Sequence, residues 1–303
     1  MKQIFHEGEL SVQAQAGVRE MASRVGRSIR PHIPPAAQEF LRDQPMAIVG
    51  SVDERGRVWA SLLTGQPGFI EALDEHIVRI AAEPFDGDPL GDNLRERAPI
   101  GVLVLEPATR RRMRLNGRVA ERGHGGIYVR AEQVYSNCPK YIQARTWERE
   151  AGVSEEQVMH IVQRESALTE QQQHLISQAD TFFIASHHPE GGADASHRGG
   201  SPSFVRVMNG GALAWGDYSG NSMFQTLGNI AANPTAGLLF VDFERGSTLQ
   251  LTGSARIVWN AERAAEFVGA ERVIEFQIDE AIEIQNATNL RWHFLNYSSF
   301  NPA

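Results

Sequence analysis

The chain carries one stretch of sequence twice, and this duplication limits its architecture more than any other feature does. Residues 101–117 (GVLVLEPATRRRMRLNG) lie over 237–253 (GLLFVDFERGSTLQLTG) without a gap, at an offset of 136. Both segments read as an apolar strand, a polar turn and an alternating strand that closes on Gly, the pattern of a β-hairpin. Upstream, residues 47–61 (AIVGSVDERGRVWAS) match 183–197 (FIASHHPEGGADASH) at the same offset, again as strand, turn and strand. Pro67, Phe69 and Ile70 fall on Pro202, Phe204 and Val205 at an offset of 135, and Leu90-Gly91-Asp92-Asn93 corresponds to Leu227-Gly228-Asn229 with one residue inserted. The matches keep the same order in both halves, so the expected division is an N-terminal copy at 1–150 and a C-terminal copy at 151–303.

Each copy holds five or six short strands at close spacing with turn residues between them, which points to a small barrel. Charged, Ala- and Gln-rich segments with apolar residues at helical spacing precede the first strand of each copy, at 18–44 and 155–178. Residues 222–232 read as a helix with Asn221 or Ser222 as N-cap, ended by Asn233-Pro234. A further short helix is expected at 136–149. The fold class is therefore mainly β with flanking helices, built as two tandem barrels.

Composition narrows the function. The 303 residues are enough for two cores, and 42% hydrophobic with 22% charged residues is ordinary for a globular chain. A net charge of −8 argues against nucleic acid as a partner. The densest basic cluster, Arg110, Arg111, Arg112 and Arg114, reads as a solvated hairpin turn with flanking strand residues. The single cysteine, Cys138, excludes an intrachain disulfide and a cysteine metal cluster, and is read as a small buried hydrophobe. His187, His188 and His197 are too loosely spaced for a metal site. The first residues lack a basic region followed by an apolar run, and no stretch approaches the length of a membrane span; a cytoplasmic protein without membrane contact is expected.

The segments DASHRGGSPSFVRV, LAWGDYSGNSMFQTLGNIAANP, GLLFVDF and LQLTGSARIV make the second copy similar to the FMN-binding split-barrel family of pyridoxamine 5'-phosphate oxidase. The likeness covers most of 180–260 and, more weakly, 45–120. With FHEGEL at the start and SNCPKYIQ between the copies, the whole chain resembles tandem two-barrel bacterial members. The resemblance implies two split barrels packed as a pseudo-dimer, with the cofactor in the groove between them. It implies FMN as cofactor, with haem and a deazaflavin as alternatives.

A flavin phosphate needs arginine, hydroxyls and backbone N–H groups. Ser219, Gly220, Asn221 and Ser222 supply the last two, and Gly220 would let the backbone come close. Arg206 corresponds to the basic residue that the family uses for the phosphate, with Ser203, Phe204 and Val205 before it. His197 and Arg198 lie in the neighbouring loop. Trp215 and Gly216 sit where the family presents the cofactor wall, and Gln225, Thr226 and Leu227 follow on the helix. Lys140 and Tyr141 would reach over from the first copy.

The family's Arg-Lys pair is Asn221-Ser222 here. Its flavin-contacting Gln is Thr248, or Gln250 if the register shifts, and its substrate-phosphate motif is missing, which argues against pyridoxamine phosphate as substrate. In the first copy Asp86, Asp88 and Asp92 occupy the phosphate loop and Glu71 stands at the position of Arg206. Carboxylates repel a phosphate, so the first copy is expected to form a wall rather than a site.

The expected function is an FMN-dependent oxidoreductase acting on an unidentified small molecule, with NAD(P)H or a partner reductase as electron donor and a homodimeric state. No general acid or base stands out. The alternative is a flavin- or haem-binding protein without catalysis, acting as sensor, store or reductase partner.

Overall fold

The computed structural model describes residues 4–123, 125–150, 160–209 and 211–302. Three helices, α1 (Glu7–Gln15), α2 (Arg19–Gly26) and α3 (Pro35–Arg42), lead into β1 (Met46–Val52), β2 (Val58–Thr64), β3 (Ile70–Ala72) and β4 (Ile77–Ile80). After α4 (Leu90–Asn93) come β5 (Pro99–Glu106), β6 (Arg111–Gly123), β7 (Gly126–Ser136), β8 (Ala144–Arg149) and β9 (Ile161–Glu165). The second half runs α5 (Glu170–Gln178), β10 (Thr181–His188), β11 (Gly192–Gly199), β12 (Val205–Met208), β13 (Ala212–Asp217), α6 (Gln225–Ala232), β14 (Thr235–Asp242) and β15 (Ser247–Val258). It closes with α7 (Ala261–Ala265), β16 (Arg272–Gln285) and β17 (Leu290–Asn296).

The duplication is written into the topology. One sheet has the order β2-β1-β5-β6-β7-β4-β3 and the other β11-β10-β14-β15-β16-β13-β12, strand for strand the same path. The chain is mainly β with flanking helices in two tandem split barrels.

The register corrects one part of the sequence alignment. Ile48 pairs with Leu103 and Phe183 with Leu239, so the β5 and β14 strands are offset by 136 while β1 and β10 are offset by 135. Matching 47–61 to 183–197 at 136 is thus one residue out. In a strand such a slip exchanges the two faces. Ala47 and Val49 fill the first barrel, as Phe182 and Ile184 fill the second, whereas Ile48 and Phe183 meet in a third apolar layer between the barrels. Strands buried on both faces explain the unbroken apolar runs VLVLE and LLFVD.

Two glycines let the barrels close on each other. A Cβ on Gly101 would stand 2.6 Å from the Asp194 Cα, and one on Gly237 would stand 2.6 Å from the Val58 carbonyl oxygen. At the observed offsets, Gly101 against Asp194 and Gly237 against Trp59 are the same contact seen from the two halves.

The halves also interlock. The α1 helix, capped by His6, packs on α6 of the second barrel, where a Cβ on Gly8 would meet the Gly228 carbonyl at 2.2 Å. β8 pairs with β17, and β9 pairs with β16. These pairings overturn two helix expectations. Residues 144–149 and 161–165 are strands because of distant partners that local periodicity does not reveal; residues 155–159 of the segment expected to be helical lie outside the described residues. The 18–44 segment forms two helices, broken where Pro31 and Pro34 interrupt the hydrogen-bond ladder. Among the described residues no helix is long and apolar enough to cross a membrane.

The glycine contacts yield a prediction. Gly237→Ala forces backbone apart at a packed interface, so stability should fall by about 1–3 kcal/mol, the usual range for overpacking. Thermal unfolding reads this directly, and an unchanged midpoint would show that the barrels do not approach so closely.

Candidate functional site

A cavity of about 240 Å³ opens between the barrels. From the second barrel it is lined by His197 and Arg198 on β11, Gly216 and Asp217 at the end of β13, the 218–222 loop, and Gln225, Thr226 and Leu227 on α6. From the first barrel come Arg112 and Arg114 on β6, with Asn137 and Tyr141 beyond β7. The groove is therefore built within a single chain.

Its floor is an ion-paired network. Arg114 donates to both oxygens of the Asp194 carboxylate at 3.2 and 3.1 Å and also to the Ser196 hydroxyl. Asp194 further accepts from the Tyr135 hydroxyl at 3.2 Å, Asn116 Nδ2 at 3.2 Å and the Thr226 hydroxyl at 3.1 Å. Asp194 is 1% exposed and Arg114 6%, so this is a buried pair in which both carboxylate oxygens are met by hydrogen bonds, while Arg114 Nε has no partner among the described residues.

Among the described residues two further guanidiniums have no carboxylate within ion-pairing distance. Arg112 reaches His197 Nδ1 at 3.1 Å, and its Nε is buried without an acceptor. Burial, with Arg114 and Arg198 close by, pushes Arg112 down to about 9. Arg198 donates to the Ser196 hydroxyl at 2.6 Å and to the His197 carbonyl at 3.0 Å; burial lowers it too, against the opposing pull of the Asp217 charge. Burial raises Asp217, while Arg198 and Arg272 hold it back, the latter with Nη1 3.4 Å away. His197 is buried and held well below the ordinary imidazole range, first by desolvation and then by Arg112, Arg198 and two more arginines.

The 218–224 loop turns sharply into α6. The helix starts at Gln225 rather than Ser222, with Phe224 in the left-handed region at φ 62° and no side-chain cap. Asn221 Oδ1 instead accepts from the Met223 N–H at 3.0 Å. The Tyr141 hydroxyl donates to the Ser219 carbonyl at 3.0 Å, so the first half grips this loop directly.

Of the residues singled out in the sequence, the cavity gathers His197, Arg198, Phe204, Gly216, Ser219, Gly220, Asn221, Ser222, Gln225, Thr226 and Leu227. Five lie elsewhere. Val205 and Trp215 are buried in the second barrel's core, where Trp215 meets Phe182 edge-on. Ser203 bonds the Ser177 carbonyl, and Lys140 sits over the Phe300 ring. Arg206 stacks on Phe267, centroid 4.0 Å away, and donates to the Glu266 carbonyl. Arg206 and Arg198 are both basic residues of the SHRGGSPSFVR stretch, and only the β11 residue has the strand phase that faces the groove.

The basic cluster is not only a solvated turn: Arg112 and Arg114 lie on the flanking strand β6, Arg114 buried and Arg112 half-buried. Strand alternation carried the signal. Met113 and Leu115 fill the first barrel, so Arg112, Arg114 and Asn116 must share the opposite face, toward the second barrel. Thr248 and Gln250, offered as flavin contacts, lie 136 residues on from Arg112 and Arg114 and face the other groove. There Gln250 Nε2 donates to the Ala60 carbonyl at 2.9 Å, Ser61 at 3.0 Å and Asp88 at 3.2 Å. Asp88 is buried and raised by that burial, while Asp86 and Asp92 are exposed. Leu62 and Leu63 replace His197 and Arg198, and Trp59, Phe85 and Val162 pack together as a satellite core. The second groove is sealed by apolar packing more than by charge repulsion.

Residues 168–286 match the family model described as pyridoxamine 5'-phosphate oxidase. Comparison with curated proteins gives no match. Among solved structures, HupZ of Group A Streptococcus is 16% identical, with 44% of this chain and 98% of that chain covered and a TM-score of 0.31. A candidate pyridoxamine 5'-phosphate oxidase from Lactobacillus delbrueckii is 17% identical, covering 39% and 94%, at a TM-score of 0.33. Another from Listeria innocua is 17% identical, covering 37% and 93%, at 0.28.

Two predictions follow from the floor of the groove. Asp194→Ala leaves the Arg114 guanidinium buried and unpaired, and should cost about 3–5 kcal/mol in urea unfolding; a loss under 1 kcal/mol would contradict the pairing. Glu9 on α1 is raised to about 8, chiefly by burial and also by Asp194. A carboxyl raised on folding binds more protons in the folded state, so it costs stability as pH rises from its unfolded value to about 8. His6, lowered to about 4, works in the opposite sense below about 6.5. Glu9→Gln should therefore stabilise the protein more at pH 8 than at pH 6.5, and equal effects at both would refute this.

Proposed function

Taking the pyridoxamine 5'-phosphate oxidase-like split barrel of residues 168–286 as premise, we propose that the groove binds one FMN per chain and that the protein is a flavin-dependent oxidoreductase. The observation that carries this reading is the pair of guanidiniums with no ion-paired carboxylate among the described residues, Arg112 and Arg198, brought together from opposite barrels. A desolvated charge without a counter-charge in contact is costly. Two such cations match the two negative charges of a phosphate monoester, and arginine forks suit its oxygens.

The residues present fit such a ligand on further counts. His197 Nε2, Arg112 Nε and Asn137 Oδ1 are buried polar atoms without partners at the cavity wall. The Ser219–Ser222 loop offers hydroxyls and backbone N–H groups, with Gly220 leaving room. Tyr141 and Tyr218, ring centroids 5.3 Å apart, supply aromatic surface beside them. When bound, FMN supplies the electron- and hydride-accepting chemistry. The chain's own part is to hold the anion through Arg112 and Arg198, to keep those arginines oriented through Ser196 and His197, and to exclude water behind Leu227 and Phe204. The electron donor we propose is NAD(P)H or a reductase, the substrate a small molecule, and the working state a homodimer in the cytoplasm. Haem and a deazaflavin are the alternative cofactors to FMN.

Equilibrium dialysis against FMN tests the reading. The expected stoichiometry is one FMN per chain, because the second groove is packed shut. Arg112→Gln or Arg198→Gln should weaken binding at least about tenfold, a loss of about 1.4 kcal/mol, while Arg206→Ala should change it by less than about threefold. A protein that takes up no FMN, or whose affinity depends on Arg206 alone, would overturn the assignment.

A further inference from the structure

His197 has an arginine as its side-chain partner. Its Nδ1 lies 3.1 Å from Arg112 Nη1. A guanidinium can only donate, so Nδ1 must accept, and the imidazole's single proton then sits on Nε2. That Nε2 is buried and has no protein acceptor, although the ring is 3% exposed and lines the groove. The charges that face the ring are all cationic: Arg112, Arg198, Arg145 and Arg114. Its other close neighbour is Phe183, edge-on at 5.9 Å. Among the described residues, none of the charges acting on the ring is a carboxylate that would favour a second proton.

We propose that His197 is a specificity-determining residue: a neutral imidazole, locked by Arg112 as the Nε2–H tautomer, that donates one hydrogen bond to an oxyanion or carbonyl oxygen of the groove ligand. The proposal rests on the anionic-ligand reading of the groove and adds a direction to it. Arg112 comes from the first barrel and His197 from the second, so the donor has its correct tautomer only when the two barrels are docked. Gly199 leaves the space: a Cβ there would stand 3.0 Å from His197 Cε1 and 2.0 Å from the Tyr141 carbonyl oxygen. In the sealed groove the same position is Leu62, which cannot donate.

The lock is read by long-range ¹H–¹⁵N NMR of ¹⁵N-histidine-labelled protein. In the wild type, His197 should show the Nε2–H tautomer unchanged from pH 5.5 to 8. Arg112→Thr, which installs the residue type of the equivalent Thr248, should let the ring exchange tautomers and raise its titration midpoint. An Nδ1–H tautomer, or ordinary titration in the wild type, overturns the proposal. The donor role is read with FMN as probe. His197→Gln, which keeps an N–H, should bind within about threefold of the wild type, whereas His197→Leu should lose about tenfold or more. Equal binding by the leucine variant overturns the donor role. If the wild type takes up no FMN, the FMN reading fails by itself, and the Nε2–H resonance is then followed against inorganic phosphate. A shift on phosphate addition supports the donor, and invariance overturns it.

Discussion

The Asp194 carboxylate is the point on which the structure turns. It sits on β11 of the second barrel, yet three of its four side-chain partners, Arg114, Asn116 and Tyr135, belong to β6 and β7 of the first. A fourth, Thr226, is in the first turn of the helix that follows the ligand loop. A carboxylate that is 1% exposed survives only if its charge and lone pairs are met. Meeting them fixes the distance between the barrels, the rotamer of Arg114 and the start of α6 together. The contact of Gly101 with the Asp194 backbone is the steric counterpart, since any side chain there would push the carboxylate off its partners.

A duplicated chain could in principle hold two equal grooves, and the scaffold nearly offers them. The difference comes from a few residues at equivalent strand positions: Arg112 and Arg114 against Thr248 and Gln250, His197 and Arg198 against Leu62 and Leu63, and Asp194 against Trp59. Each replacement on the sealed side exchanges charge for an apolar or neutral group that packs or bonds internally. That groove adds to the core through Trp59, Phe85, Val162, Ile282 and Ile284. The open groove keeps unpaired guanidiniums and an orphan N–H, features that cost stability unless something binds. One groove stabilises the fold and the other carries the recognition chemistry.

Much of the fold was legible because repetition is an internal alignment: one hairpin laid on another at a fixed offset gives two sheets of the same path. What stayed hidden was non-local. β8 and β9 are strands only because β17 and β16 lie beside them, and no periodicity within 144–149 or 161–165 says so. In the site, the loop at 219–222, His197 and Arg198 were readable from residue type and resemblance. Arg112 and Arg114 were not, since judging them by charge density within the acidic chain overlooked their strand phase. The one-residue slip in β1 had the same root. Similarity of small residues around the turn favoured 136, whereas the alternation of faces requires 135. Arg206 misled for a related reason, because residue type placed it in the site while its strand phase sends it to Phe267 and Glu266 instead.

The N-terminal helix ties these features to the ligand loop. α1 lies against α6 by a glycine–glycine approach, and Gln13 Nε2 donates to the Met223 carbonyl at 2.9 Å. Met223 is the residue just before Phe224, whose left-handed backbone makes the turn into α6. Tyr141 holds the same loop from its other end at Ser219. The loop that would face an anion is thus fastened at both ends by the first half of the chain, while the helix behind it is anchored to Asp194 through Thr226. A loop restrained at three points has little conformational entropy left to lose on binding. The first half therefore does more than wall the groove: it supplies two of the cations, sets the tautomer of His197, and holds the second barrel's loop in its binding shape before any ligand arrives.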